Sequence, residues 1–183
     1  MGSEMIGDWM NIIEGLLFVS PTPLTLQKLK EILDPLTSQE IRDHLQSLQS
    51  LYEERNGALQ VKEIAGGYQF YTRPEIAPWA RKLMESKPAK LSRASLETLA
   101  IIAYNQPTSK SEVDSVRGVD SHKAIRNLLE KGLIRVMGRK DEAGRPLLYG
   151  TTKRFLERFG LKDLASLPAL DELQEMGMMS EEG

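Results

Sequence analysis

Apolar residues recur every three or four positions through the first half of the chain, a spacing typical of helices that bury one face. Prolines separate three such stretches, and an Asn-Gly pair ends the third. Two short stretches around a glycine-containing turn then predict a β-hairpin, which a short amphipathic helix follows. The predicted elements are helices near residues 4–19, 25–34 and 37–55, strands at 59–64 and 68–72, and a helix around 76–83.

The same order of elements returns in the second half, after a linker predicted at residues 86–90. The repeated elements are helices near residues 92–105, 109–118 and 120–132, strands at 134–139 and 146–151, and a closing helix around 155–159. Three helices followed by a hairpin form the layout of a winged helix. The predicted fold class is therefore mainly α with small β-hairpins (α+β), arranged as two tandem winged-helix domains.

Polar residues mark the starts of several predicted helices. Thr37 and Glu40 have the spacing of a capping box, as do Ser109 and Glu112, so each pair is expected to satisfy free backbone N–H groups. Asp120 is predicted to cap the last helix before the second hairpin.

The core of the second half is expected to include Leu96, Leu99, Ile102 and Leu129, which fall on the apolar faces of their helices. Residues 99–103 are apolar on every side, and this predicts a central helix that is buried all round.

Charge is distributed unevenly along the chain. Residues 1–86 hold 8 Lys+Arg against 12 Asp+Glu, residues 87–162 hold 16 against 8, and residues 163–183 hold 0 against 6. A basic module between acidic ones favours either a nucleic-acid face or a face for an acidic protein partner. The spacing alone leaves both open.

Several classes of function have no support in the composition. The chain lacks cysteine, which excludes a disulfide scaffold or a thiol nucleophile and makes a reducing interior the simpler location. The chain has no run of about 18 apolar residues, so no membrane span is predicted. His44 and His122 fall in different modules, and no phosphate-binding glycine loop occurs. We therefore predict neither an enzyme nor a metal or cofactor site.

The second half carries strings that together resemble segregation and condensation protein B of bacteria, although no single string suffices. These strings are Leu91–Tyr104, Gln106-Pro107, Val116–Val119, Leu128–Ile134, Gly138-Arg139-Lys140, Gly144-Arg145-Pro146 and Leu148–Thr152. The resemblance covers about residues 90–170. The first half agrees in helix order and at residues 14–18, but more loosely.

The resemblance implies a non-enzymatic adaptor of a bacterial condensin-like complex that acts in chromosome condensation and partition. It implies a homodimer joined through an N-terminal domain (1–86), and a C-terminal domain (87–170) that binds the kleisin subunit, followed by an acidic tail (171–183) that we expect to be disordered. The protein is expected to associate with the SMC ATPase and with DNA only indirectly. It is expected to lie in the cytoplasm, associated with the nucleoid. The alternative is a winged-helix transcription regulator that binds DNA.

Candidate partner-binding residues lie in the C-terminal half. Arg126 belongs to a basic helix face that is either a ligand surface or merely solvated. Arg139 and Arg145 in the wing either present guanidinium groups to a partner's carboxylates or hold the hairpin together. Tyr104 and Tyr149 either line a partner groove or belong to the core. The wing glycines, by contrast, are predicted to serve hairpin geometry.

Candidate dimer contacts lie on the first helix, where Met5, Trp9 and Ile12 form part of one apolar stripe. The stripe either packs within its own domain or continues across a dimer axis. Trp9 and Met5 extend beyond what a small core needs, and this favours a dimer contact for Trp9.

Overall fold

The computed structural model describes residues 9–83 and 91–169. The N-terminal module begins with three helices and ends in a hairpin and a fourth helix, in the predicted order. Its elements are α1 (Trp9–Val19), β1 (Leu24–Thr25), α2 (Leu26–Ile32), α3 (Ser38–Glu54), β2 (Leu59–Ile64), β3 (Gly67–Thr72) and α4 (Ala77–Leu83). A 3₁₀ turn at Pro74–Ile76 leads into α4.

The C-terminal module repeats this arrangement. Its elements are α5 (Arg93–Asn105), β4 (Thr108–Ser109), α6 (Lys110–Arg117), α7 (His122–Glu130), β5 (Ile134–Arg139), β6 (Leu147–Thr151) and α8 (Lys153–Phe159), with a 3₁₀ turn at Leu164–Ser166. The predicted fold class, two tandem winged helices, is confirmed. The proposed domain boundaries at residues 86 and 170 and the tail fall outside the described residues.

Each module closes its hairpin into a three-stranded antiparallel sheet through a two-residue strand that the hydrophobic pattern did not reveal. The strand orders are β1-β3-β2 and β4-β6-β5. Each short strand lies directly before a helix, and its last residue, Thr25 or Ser109, is also the N-cap of that helix. Thr25, which pairs with Gly67 across the sheet, accepts a hydrogen bond from Lys28 N and caps α2.

The predicted capping boxes are present in both modules. Glu40 Oε2 accepts from Thr37 N at 2.6 Å, and Glu112 Oε2 accepts from Ser109 N at 2.7 Å. Helix α7 begins after Ser121, one residue later than predicted, but Asp120 does cap it, because Asp120 Oδ2 accepts a hydrogen bond from His122 N at 3.2 Å. The Ser121 hydroxyl donates to Asp114 of α6, a tertiary partner that sequence spacing could not reveal.

Each module has its own hydrophobic core. The N-terminal core gathers Ile13, Leu29 and Ile41 with their neighbours, and the C-terminal core gathers Ile102 and Leu128 with theirs. The described residues include no helix long and apolar enough to cross a membrane.

Gly67 lies on β3, where it pairs with Thr25 of β1. A Cβ atom at this position would lie 2.9 Å from the carbonyl carbon and oxygen of Leu24. Since these are backbone atoms, the strand has to shift to accommodate any side chain. Gly67 therefore allows the third strand of this sheet to approach.

We predict that Gly67→Ala destabilises the protein by about 1–3 kcal/mol, because the added methyl group overpacks the contact between β3 and the backbone of β1. Gly15→Ala is the matched control, since the Cβ there meets nothing within 4 Å. In a helix interior, that change is expected to stabilise by about 0.5–1 kcal/mol. Chemical denaturation measures the free energy of unfolding of both variants. Equal changes in the two variants would contradict the close contact between Gly67 and β1.

Candidate partner-binding surfaces

The wing of the C-terminal module is fastened to the start of α6 through Glu112. Besides closing the capping box, its carboxylate accepts a hydrogen bond from Lys140 Nζ at 2.8 Å. Lys140 also pairs with Glu142 at 3.1 Å. The Lys140 hydrogen bond, followed by those from Ser109, lowers the pKa of Glu112 to about 2. The wing lysine therefore neutralises charge within the module.

The wing arginines differ in their contacts. Arg139 Nη1 donates to the backbone oxygen of Arg145 at 3.0 Å, so Arg139 helps to hold the hairpin. The Arg145 side chain is exposed, and its backbone has a φ of 42°. Gly144 has a φ of 82° in the same turn, so it serves hairpin geometry as predicted. Gly138 directly follows the β-bulge, and the same role for Gly138 stays a prediction. Partner contact by the two arginines stays a prediction.

Helix α7 corresponds to the helix that enters the major groove in DNA-reading relatives of this fold. Arg126 lies on its exposed face and pairs with Glu130 at 3.0 Å. Next to its first turn, Lys110 is held between Asp114 and Asp120, each 2.5 Å away. Lys110 and then Ser121 lower the pKa of Asp114 to about 2. Two carboxylates, those of Asp114 and Asp120, therefore lie at the N-terminal end of α7.

The two candidate tyrosines have different surroundings. Tyr149 is 8% exposed and belongs to the core, which leaves it little surface for a partner. Tyr104 lies at the surface, and its hydroxyl donates to the Pro168 carbonyl at 2.6 Å. It lines an open groove of about 560 Å³ between the end of α5 and the segment after α8. The other groove residues are Ala103, Gln106, Leu164, Ala165, Leu167, Pro168 and Ala169.

One face of α5 is apolar and uncovered, contrary to the sequence prediction. Leu96 is 46% exposed and Ala100 is also exposed, whereas both were expected to be buried. With Tyr104 they follow the i, i+4, i+8 spacing of one helix face, which we call the α5 stripe. The core face of α5 carries Leu99, Ile102 and Ala103 instead.

A helix with two apolar faces can be read from sequence as wholly buried, which is why the α5 stripe was missed. The prediction that Leu129 faces the core was also wrong, since that side chain is exposed. The signal available in the sequence was the excess of apolar positions on α5 over those a core of this size requires.

The N-terminal module offers apolar surface on and beside α1. Trp9 and Ile12 pack against their own core and stay partly exposed, while Met5 lies outside the described residues. Phe18 is 76% exposed at the end of the same helix and was not predicted. An open groove of about 560 Å³ separates Met10 from α3. None of these contacts tests the proposed dimer interface.

The described residues contain no group of three or more His, Asp or Glu side chains arranged to hold a metal ion. His44 and His122 lie on α3 and α7, in different modules.

Comparison with known proteins identifies relatives of both modules. The family model described as "Segregation and condensation complex subunit ScpB" matches residues 11–170. Segregation and condensation protein B of Syntrophotalea carbinolica is 46% identical over 170 residues, which is 93% of this chain and 86% of the relative.

Two solved structures are also similar. ScpB from Mycobacterium tuberculosis is 34% identical, with 83% of this chain and 94% of that chain covered and a TM-score of 0.39. A dimer of an ScpB N-terminal domain complexed with ScpA peptide is 27% identical, with 40% of this chain and 91% of that chain covered and a TM-score of 0.38.

We predict that Glu112→Gln destabilises the protein in a pH-dependent way. The pKa of Glu112 is lowered from 4.5 to about 2. Its stabilisation is therefore present above about pH 4.5 and is lost as the pH falls toward 2. Denaturation of both proteins between about pH 7 and about pH 3 should show a difference that shrinks on acidification.

Glu130→Gln is the control for this series. It removes a carboxylate whose partner, Arg126, is exposed in the same helix, so we expect a change of less than about 0.5 kcal/mol. A Glu112→Gln effect that grows on acidification would contradict the role of the carboxylate.

Proposed function

The chain belongs to the ScpB family of segregation and condensation complex subunits and is a non-catalytic subunit of that kind; we propose that it joins the kleisin subunit of an SMC complex as a homodimeric adaptor. A family match that spans both modules, residues 11–170, carries this proposal. The N-terminal module, residues 1–86, supplies the dimer contact. The C-terminal module, residues 87–170, holds the kleisin.

The α5 stripe and the adjoining Tyr104 groove form the proposed kleisin site. Exposed apolar side chains at i, i+4 and i+8, continued by a groove, suit the apolar face of an amphipathic helix. Strand addition to the free edge of β5 is less favourable, because a bulge between Val136 and Gly138 and the exposed Arg135 and Arg139 disrupt that edge.

Direct DNA reading is not part of the proposal. Lys110, Arg126 and Lys140 are paired with carboxylates of their own module. A cation that already has a partner releases fewer counterions from DNA than a free one. We therefore assign an indirect association with DNA, through the SMC complex, in the cytoplasm at the nucleoid.

We predict that Leu96→Glu weakens binding of the kleisin's central region by roughly tenfold or more, because it places a charge in an apolar contact. Isothermal titration of the full chain measures this. Val136→Glu is the matched control, since Val136 is 45% exposed and lies on β5 away from the stripe. Equal weakening by both variants, or none by Leu96→Glu, would move the site elsewhere.

We predict that Trp9→Ala shifts the protein from dimer toward monomer in analytical ultracentrifugation, because Trp9 is the largest apolar side chain of the proposed dimer contact. Trp79→Ala removes a tryptophan that is 66% exposed on α4 of the same module and should leave the dimer intact. Circular dichroism confirms that both variants fold. Dissociation by Trp79→Ala but not Trp9→Ala would reverse the assignment.

A further inference from the structure

The turn between β2 and β3 touches the segment that follows α8, in the other module. Ala65 N donates to Leu161 O at 2.9 Å, and Gly66 N donates to Lys162 O at 3.1 Å. Lys162 Nζ also pairs with Glu63 Oε2 at 2.9 Å. Two consecutive backbone bonds and an ion pair thus join modules whose cores are separate.

The turn geometry leaves these donors available. Ile64 pairs with Gly67, so the loop between them has two residues, Ala65 and Gly66. Their φ values of 52° and 72° lie in the left-handed region, as in a type I′ turn. Ala65 takes this conformation although it lacks glycine's freedom, and it is buried beneath the contact. A rigid hairpin end therefore presents both N–H groups to the other module.

The acceptor segment, residues 161–168, is held by its own module on both sides of the contact, and we call it the strap. Leu161 N donates to Leu156 O at 2.9 Å, and Leu161 packs against the C-terminal core. At the far end, Pro168 O accepts from the Tyr104 hydroxyl at 2.6 Å. Because the strap is fixed at both ends, the bonds to Leu161 and Lys162 at its start connect the turn to the whole module.

Neighbouring side chains show that the hairpin and α8 lie close together. Burial and then the charge of Glu157 on α8 raise the pKa of Tyr71 on β3. The Glu63 hydrogen bond raises the pKa of Lys162. The contact therefore extends from the turn toward α8.

We infer that residues 63–66 and the strap form a latch that holds the two modules of one chain at a fixed angle. The two backbone hydrogen bonds and the Lys162–Glu63 ion pair are the contacts that set this angle. The latch does not depend on the identity of any partner. Since the strap also forms a wall of the Tyr104 groove, the latch places that groove relative to the N-terminal module.

Charge reversal and charge exchange test the latch. The full chain contains no cysteine, so Ser47→Cys and Ser115→Cys, exposed sites in different modules, accept nitroxide labels without background. Double electron–electron resonance then measures the distance distribution. Labelled chain is diluted with unlabelled chain so that the distances are those within one chain.

The unaltered latch should give one narrow distribution. Glu63→Lys and Lys162→Glu should each broaden it about twofold or more, and the double exchange should restore the narrow distribution. Lys28→Glu, which breaks an exposed ion pair with Glu31 inside the N-terminal module, should leave it narrow.

Several results would overturn the latch. They are an unchanged distribution in both single variants, broadening in Lys28→Glu as well, and a double exchange that stays broad. Loss of the narrow distribution on dilution would also overturn it, because the contact would then join two chains. Melting curves of each variant show whether both modules remain folded.

Discussion

The hydrogen bonds of the Glu112 carboxylate connect the start of α6, the sheet and the wing of the C-terminal module. The carboxylate caps α6 through Ser109 and holds the wing through Lys140. The short strand β4 lies directly before that cap, so the helix start, the third strand of the sheet and the wing meet at one charged group. Hydrogen bonds to a charged group are stronger than those between neutral groups, and three parts of the module share this one.

The N-terminal module uses its hairpin differently. Its capping box, Thr37 with Glu40, closes locally, while its turn reaches outward to the strap of the other module. The hairpins of the two modules therefore make different contacts. The C-terminal wing is bonded to α6 of its own module, whereas the turn of the N-terminal hairpin is bonded to the other module. Within residues 87–162, the four basic residues Lys110, Arg117, Arg126 and Lys140 pair with acids of their own module.

Local chemistry made much of the fold predictable. Capping boxes act within four residues, so Glu40 and Glu112 were assigned correctly from spacing. Contacts between distant residues were not accessible in this way. The contacts of Ser121 with Asp114, Tyr104 with Pro168 and Lys162 with Glu63 form only when the chain has folded. The exposed face of α5 was missed because apolar periodicity does not distinguish a core from a binding surface.

We propose that a fold typical of DNA-binding proteins serves here to bind a protein, and titration with both ligands in parallel tests this most directly. Fluorescence anisotropy of the full chain with a labelled kleisin central region and with random duplex DNA compares the two at about 50 mM and about 200 mM salt. The account predicts kleisin binding at both salt concentrations and negligible duplex binding at the higher one. Tight duplex binding that falls with a slope of about -0.9 per neutralised phosphate, without kleisin binding, would contradict it.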